Sequence, residues 1–282
     1  MTARTTIYRN ASVFTGAADA PPQESFAVRD GRILAAGDLT PVRLAAGADS
    51  VEVDLGGAFV SPGIIEGHAH MLMLGESLDK VQLRDCTSVA EVQERLAAAR
   101  AAAPDAPRIL GTSWLFDIFA PGERPTAAML DAAVPDVPVI LDANDLHSVW
   151  VNTAALQAME IDRSTPDPVG GEIMRDDEGD ATGFLLETAA MKHAWGYLEA
   201  MASDADRDRF LENACNAYLE TGVTGATEMS FGAADLAAYR RRLDRDGRLP
   251  FPVHAHWILT APGSLQTHLA DVAEVASLRD EA

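Results

Sequence analysis

A change of pattern near residue 58 constrains this chain more than any other feature. Up to that point the sequence reads as short strands. Thr5–Tyr8 alternates weakly, and Ser25–Val28 and Arg32–Ala35 flank Asp30-Gly31. That dipeptide suits the positive φ angles of a tight hairpin turn. Ser50–Leu55 alternates again and is stopped by Gly56-Gly57. Residues 1–58 are therefore expected to form a small β-domain. From Phe59 onward, apolar runs alternate with helical stretches. Phe59–Ile65 is an apolar strand, Ser88-Val89-Ala90-Glu91 is a capping box that opens a helix to about Ala103, and Arg108–Leu110 is a short strand. Pro125–Ala133 is a short helix, and Val137–Leu141 is a buried-type strand that runs into Asp142, Asp145 and His147. Gly171–Arg175 and Thr182–Leu186 flank a polar turn, which predicts a hairpin insert near 165–187. Helices are expected over Glu187–Ala200, Asp204–Glu220, Ala233–Asp246 and Asp271–Asp280, with strands at Val223–Thr227 and within Pro250–Leu259.

Alternating strands and helices point to βα units and a parallel sheet. A closed eight-stranded α/β barrel takes about 250 residues. Only 224 residues follow Ala58, and they carry an insert and four or five barrel-type strands. The expected fold is α/β: a small N-terminal β-domain, then an incomplete (β/α) barrel of the TIM type over residues 59–282.

Composition removes several functional classes. The chain has 282 residues, 48% of them apolar, enough for a sizeable core. Acidic residues outnumber basic ones 43 to 22, for a formal charge of −21. Nucleic acids and anionic membranes need basic patches, so neither is an expected partner. The two cysteines, Cys86 and Cys215, make neither a disulfide framework nor a cysteine metal site. The longest uncharged stretch, Leu249–Ala270, is broken by three prolines and is no membrane span. Met1–Ala20 has no apolar core for a signal peptide, so a cytoplasmic protein is expected.

The sharpest chemical motif is His68-Ala69-His70, which follows the apolar strand. Residues two apart on a strand face the same side, so both imidazoles point together. Two neutral imidazoles at the C-terminal mouth of a barrel strand suit zinc or a similar divalent metal. The alternative is a pair of hydrogen-bonded histidines at a strand end. Asp145 and His147 follow a buried-type strand, where they either orient substrate or cap a loop. Glu187 is either a site carboxylate or a first-turn acid favoured by a helix dipole. Glu228 ends the strand Val223–Thr227, where it either orients a histidine ligand or is a solvated strand end. His254 and His256 repeat the His-x-His spacing. Trp114, Cys86 and Cys215 read as packing residues, and Arg240-Arg241-Arg242 as a solvated helix face.

The run from Asp54 through Gly57, Phe59-Val60-Ser61-Pro62-Gly63-Ile64-Ile65-Glu66-Gly67 and on to His68-Ala69-His70 resembles the first barrel strand of the amidohydrolase superfamily, with Glu66 where that pattern carries Asp. The hairpin Val28-Arg29-Asp30-Gly31-Arg32-Ile33 resembles the one that precedes those barrels. Further matches are Pro125-Thr126 to Asp131, Pro135-Asp136-Val137-Pro138-Val139, Asp145-Leu146-His147-Ser148-Val149-Trp150-Val151-Asn152, Thr165-Pro166-Asp167-Pro168, and Thr182-Gly183 to Glu187. Together they are similar to amidohydrolase family 3, the branch that includes N-substituted formamide deformylases.

The resemblance implies a divalent metal, most simply zinc, whose water attacks a non-peptide carbon–nitrogen bond in a small amide-like substrate. His68 and His70 match the first two metal ligands, and Asp145, His147 and Glu187 are the catalytic candidates. The family's later histidines and its aspartate find no match, because the surroundings of His254 and His256 differ. The chain thus looks like the N-terminal part of such an enzyme, and an open strand edge would favour a homo-oligomer or a C-terminal segment as partner. The rival expectation is a non-catalytic remnant, or a half-enzyme that needs a C-terminal partner.

Overall fold

The computed structural model describes residues 4–17, 19–259 and 265–279. It resolves into two compact units, one of residues 1–66 with 222–226 and one of residues 67–221 with 227–282.

The first unit is built on four strands, β1 (Thr6–Val13), β2 (Ser25–Arg29), β3 (Arg32–Gly37) and β4 (Val51–Val60), with helix α1 (Leu39–Ala46) between the last two. Their order in the sheet is β3-β2-β1-β4. The β2–β3 hairpin turns at Asp30 and Gly31, both at positive φ, as the dipeptide predicts. Strand β4 runs through Gly56-Gly57 rather than stopping there. Its pairing with β1 jumps from Arg9↔Asp54 to Ala11↔Ala58. The two glycines supply the positive φ angles that this bulge needs. The real break is Ser61-Pro62-Gly63, so the expected strand Phe59–Ile65 is divided between β4 and β5 (Ile64–Ala69). Ile7, Ala27, Val42 and Ala46 form a small core under α1.

In the second unit, α2 (Met71–Asp79) follows β5 directly. It packs on α7 (Asp204–Glu220) so closely that a Cβ at Gly75 would overlap the Phe210 carbonyl. A glycine inside a helix costs about 1 kcal/mol against alanine, and here the close approach of two helix backbones requires it.

A six-stranded sheet has the order β10-β11-β9-β8-β7-β6. Its strands are β6 (Val81–Gln82), β7 (Ile109–Trp114), β8 (Val139–Ala143), β9 (Ser148–Val151), β10 (Gly171–Arg175) and β11 (Ala181–Glu187). Helices α3 (Val89–Ala102), α4 (Ala127–Asp131) and α5 (Thr153–Ala158) connect them. Strands β6, β7 and β8 are parallel, whereas β9, β11 and β10 join antiparallel. The parallel expectation fails from β9 onward. Only residues 144–147 separate β8 from β9, and so short a link cannot make the crossover that a parallel neighbour needs. The expected hairpin insert is β10 and β11, two full members of this sheet.

Residues alternate between its faces. Val139, Leu141, Trp150 and Phe184 enter one core with Leu96, Trp114 and Leu130, while Ile140, Val149 and Leu185 enter another with Leu156, Ala190 and Ala194. Trp114 is fully buried and its Nε1 donates to the Leu141 carbonyl at 3.0 Å, which fits the packing reading.

A separate three-stranded sheet has the order β13-β12-β5, with β12 (Val223–Phe231) and β13 (Val253–Trp257). The strands expected at 108–110 and 137–141 therefore belong to a different sheet from the one that carries His68. Beyond β11, the expected helix Glu187–Ala200 is a π-helical stretch, Ala190–Trp195, followed by α6 (Gly196–Met201). Helices α8 (Ala233–Asp246) and α9 (Leu265–Arg279) complete the unit; Asp280, the expected end of the last helix, lies outside the described residues. The Arg240–Arg242 run is not simply solvated. Arg241 pairs with Asp204 and Asp208, and Arg242 with Glu212, all on α7. Cys86 and Cys215 are buried and unpaired, and burial raises the Cys215 thiol to about 11, as suits packing residues.

Asn152 is a buried polar joint in this unit. Its side chain is fully buried and caps α5. Oδ1 accepts from the Val139 and Ala155 amides, and Nδ2 donates to the Val134 and Val137 carbonyls, all at 2.8–2.9 Å. Replacing it strands buried backbone groups without partners. Asn152→Ala should cost about 3 kcal/mol in urea unfolding. Asn152→Asp should not restore stability, since a carboxylate cannot donate to the two carbonyls; full stability in the Asp variant would contradict this account.

Candidate functional site

The end of β5 carries His68 and His70, and both lie where the strand gives way to α2. Their ring centroids are 5.2 Å apart, edge to face. The same-side expectation is met by rings that stand next to each other. His70 occupies the residue before the first turn of α2 and makes no side-chain cap. That leaves the first amide of the helix, Met71 N–H, to another acceptor. Glu228 Oε2 takes it at 2.6 Å.

Glu228 is the residue that sequence reasoning weighed least well. It sits inside β12, not at a solvated strand end, and is 3% exposed. Its Oε1 accepts from the Ser230 amide at 2.9 Å and lies 3.6 Å from His70 Nδ1. His70 Nδ1 is itself buried and has no hydrogen-bond partner. The Glu228 carbonyl faces His256 Nδ1 at 3.3 Å, which brings β13 to the same place, although His256, like His254, is exposed overall. Among the described residues, no group of three or more His, Cys, Asp or Glu side chains is placed to hold a metal ion.

Asp145, His147 and Glu187 gather at one end of the six-stranded sheet. His147 Nδ1 lies 2.9 Å from Glu187 Oε2, and both side chains are more than half exposed. Hydrogen bonding to Glu187, with its charge, holds the His147 pKa above the ordinary value. Glu187 closes β11 at φ 52°, and its amide donates to the His147 carbonyl at 2.7 Å. Leu146, between the other two, also sits at positive φ, 58°. Positive φ at Leu146 and Glu187 is a costly conformation for residues with a Cβ, and the surrounding structure sustains it. Asp145 behaves as a loop cap, its Oδ1 accepting the His147 amide at 2.9 Å.

A second charged cluster had no sequence signal beyond single letters. Lys80, 7% exposed along its side chain, reaches Asp142 at 2.8 Å and Glu76 at 3.4 Å. The other Asp142 oxygen accepts from Trp195 Nε1 at 2.9 Å. Burial works against the Lys80 charge, and the two carboxylates more than offset it, so its pKa stays above the ordinary value. Asp142 thereby joins three segments: the end of α2, the helix that begins just after His70; β8, which leads to His147; and the π-helix that follows Glu187. The π-helical turn brings Trp195 to that carboxylate, in keeping with the frequent placement of π-turns near functional sites.

A model of the amidohydrolase family matches residues 51–280. The N-substituted formamide deformylase of Arthrobacter pascens is 33% identical over 249 residues, covering 86% of this chain and 45% of that protein. Protein LONG AFTER FAR-RED 3 of Arabidopsis thaliana is 33% identical over 220 residues, covering 78% of this chain and 37% of that protein. The crystal structure of an uncharacterized metal-dependent hydrolase from Pyrococcus furiosus is similar over 90% of this chain and 50% of that one, with TM-score 0.68 and 28% identity. The chain thus spans about half the length of these relatives, or less. With the family pattern matched from β4 into α9, this chain belongs to the amidohydrolase family, in its family 3 branch.

Proposed function

We propose that this chain supplies part of the metal site and part of the substrate pocket of a metal-dependent hydrolase that cleaves a non-peptide carbon–nitrogen bond in a small amide-like substrate. The observation that carries the reading is the adjacent pair His68 and His70 at the end of β5, backed by a buried carboxylate. The likeness to the Pyrococcus furiosus metal-dependent hydrolase and to the Arthrobacter formamide deformylase supports it. The same likeness supports a division into a small β-domain over 1–58 and part of an amidohydrolase-type barrel over 59–282.

The two imidazoles fit as part of the ligand set of a divalent metal, with zinc the preferred choice. Two imidazoles are the commonest nitrogen ligands of zinc, and a carboxylate behind one of them is the usual support. His68 and His70 would hold the ion. Bound there, it supplies the positive charge that acidifies a water molecule and polarises an amide carbonyl. His147 and Glu187 form a solvent-exposed, hydrogen-bonded acid–base pair, able to hold or move a proton at His147 Nδ1. Asp145 keeps the His147 backbone in place.

Two measurements test this. Purified with zinc or cobalt, the protein should retain metal, and His68→Ala or His70→Ala should each lower affinity at least 10-fold by competition with a chromophoric chelator. Equal retention by all three proteins would remove the metal reading. For the pair at the sheet end, His147 should titrate above the ordinary imidazole value of 6.5 in an NMR pH series, and Glu187→Gln should bring it back toward that value. Because the folded-state pKa is raised, the pair's contribution to stability is complete below the unfolded-state pKa. It is lost as pH rises through the folded one, and solvent screening keeps it small.

A further inference from the structure

Glu228 makes contacts that say which face of His70 is free. Its two oxygens are fixed by two backbone donors on different elements, Met71 N–H at 2.6 Å and Ser230 N–H at 2.9 Å. Both donors are backbone amides and Glu228 is 3% exposed, so each of its oxygens is held as an acceptor in a fixed place. So anchored, the carboxylate cannot turn away from the imidazole beside it.

His70 Nδ1 stands 3.6 Å from Oε1, just beyond hydrogen-bond length, and has no other partner although it is buried. A neutral imidazole carries one N–H. Placed on Nε2, that proton would leave the Nδ1 lone pair against a buried carboxylate lone pair, an arrangement with nothing to relieve it. Placed on Nδ1, it faces the Glu228 oxygen, and the Nε2 lone pair on the far side of the ring is left open.

We propose that Glu228 is a positioning residue that locks His70 in the Nδ1–H tautomer and so presents Nε2 as the metal-binding atom. The importance of that atom rests on the reading of His70 as a metal ligand; the tautomer itself does not. One carboxylate thus ties the start of α2, the β12 backbone at Ser230 and the tautomer of the adjacent histidine together. The Glu228 carbonyl, 3.3 Å from His256 Nδ1, adds a contact from β13.

The first experiment is a long-range 1H–15N correlation spectrum of the metal-free, histidine-labelled full chain, with the His70 signals assigned by their loss in His70→Asn. The Nδ1–H pattern is expected. An Nε2–H pattern, the form that free imidazole side chains prefer, would overturn the proposal. The second is Co2+ binding followed by visible absorption. Glu228→Gln cannot accept both backbone amides and hold His70 as well, and should weaken Co2+ binding about 10–100-fold. Its His70 should shift toward the Nε2–H form, and Glu228→Asp should recover part of both losses. Unchanged Co2+ affinity in a folded Gln variant would also overturn the proposal. If that variant does not fold, the wild-type tautomer decides. A wild-type protein that shows Nδ1–H at His70 but binds no Co2+ would leave this inference standing and remove the metal reading instead.

Discussion

A carboxylate that is 3% exposed has to be answered by donors, and the answer Glu228 receives organises the end of β5. The donors come from two elements: the first amide of α2 and an amide two residues further along its own strand. Shifting either element relative to the carboxylate would leave a buried backbone group or a buried charge without a partner. The histidines inherit their placement from this joint, because His70 is the residue immediately before the amide that Glu228 holds. A His-x-His sequence on a strand gives two rings on one side. It takes the buried carboxylate to give one of those rings a preferred orientation.

The Lys80–Asp142 pair plays the corresponding part at the far end of α2. Buried ion pairs contribute little net stability, since desolvation opposes the Coulomb attraction. What this one contributes is alignment. Asp142 accepts from Lys80 and from Trp195, so the helix that starts just after His70 and the π-helix that follows Glu187 are referred to the same side chain on β8. A well-packed apolar pair could fill that volume, yet it would not specify where along β8 the two helices dock. Specificity of this kind is the best-attested use of buried polar groups.

Much of the architecture was legible because it follows from local chemistry. The Asp30-Gly31 hairpin, the helix start capped by Ser88, α7, α8 and the apolar strand at β8 all appear near their expected places, although Glu91 turns to Thr87 and so does not complete the expected capping box. The Pro-Gly and His-x-His run carried the family. What was not legible depends on pairing across the chain. Gly56-Gly57 reads as a terminator, and only the β1 register shows that it is a bulge within a continuing strand. Antiparallel joining of β9 follows from a four-residue connection whose ends the apolar pattern blurs. Placing 108–114 and 137–143 in one sheet and β5 in another is a matter of long-range partners. Propensity and period do not encode them.

The candidate site divides along the same line. His68 and His70 were visible because their spacing alone fixes a shared side. His147 and Glu187 are forty residues apart, and their meeting at 2.9 Å requires β9 and β11 to pair, with Leu186 opposite Ser148. Glu228 was visible only as an acid near a strand end, a description that fits many solvated residues. Its meaning comes from the 157 residues that separate it from Met71 and from the burial that the fold imposes on it. Asp142 was visible only as an acid at the end of a buried-type strand and Trp195 not at all, because a lone aspartate and a lone tryptophan are ordinary until a π-helical turn brings one to the other. In this chain, spacing discloses the groups that would touch a ligand, whereas the groups that aim them are disclosed only by folding. That is the order expected physically, since a ligand-binding pair needs one short motif and an orienting contact needs two distant segments brought together.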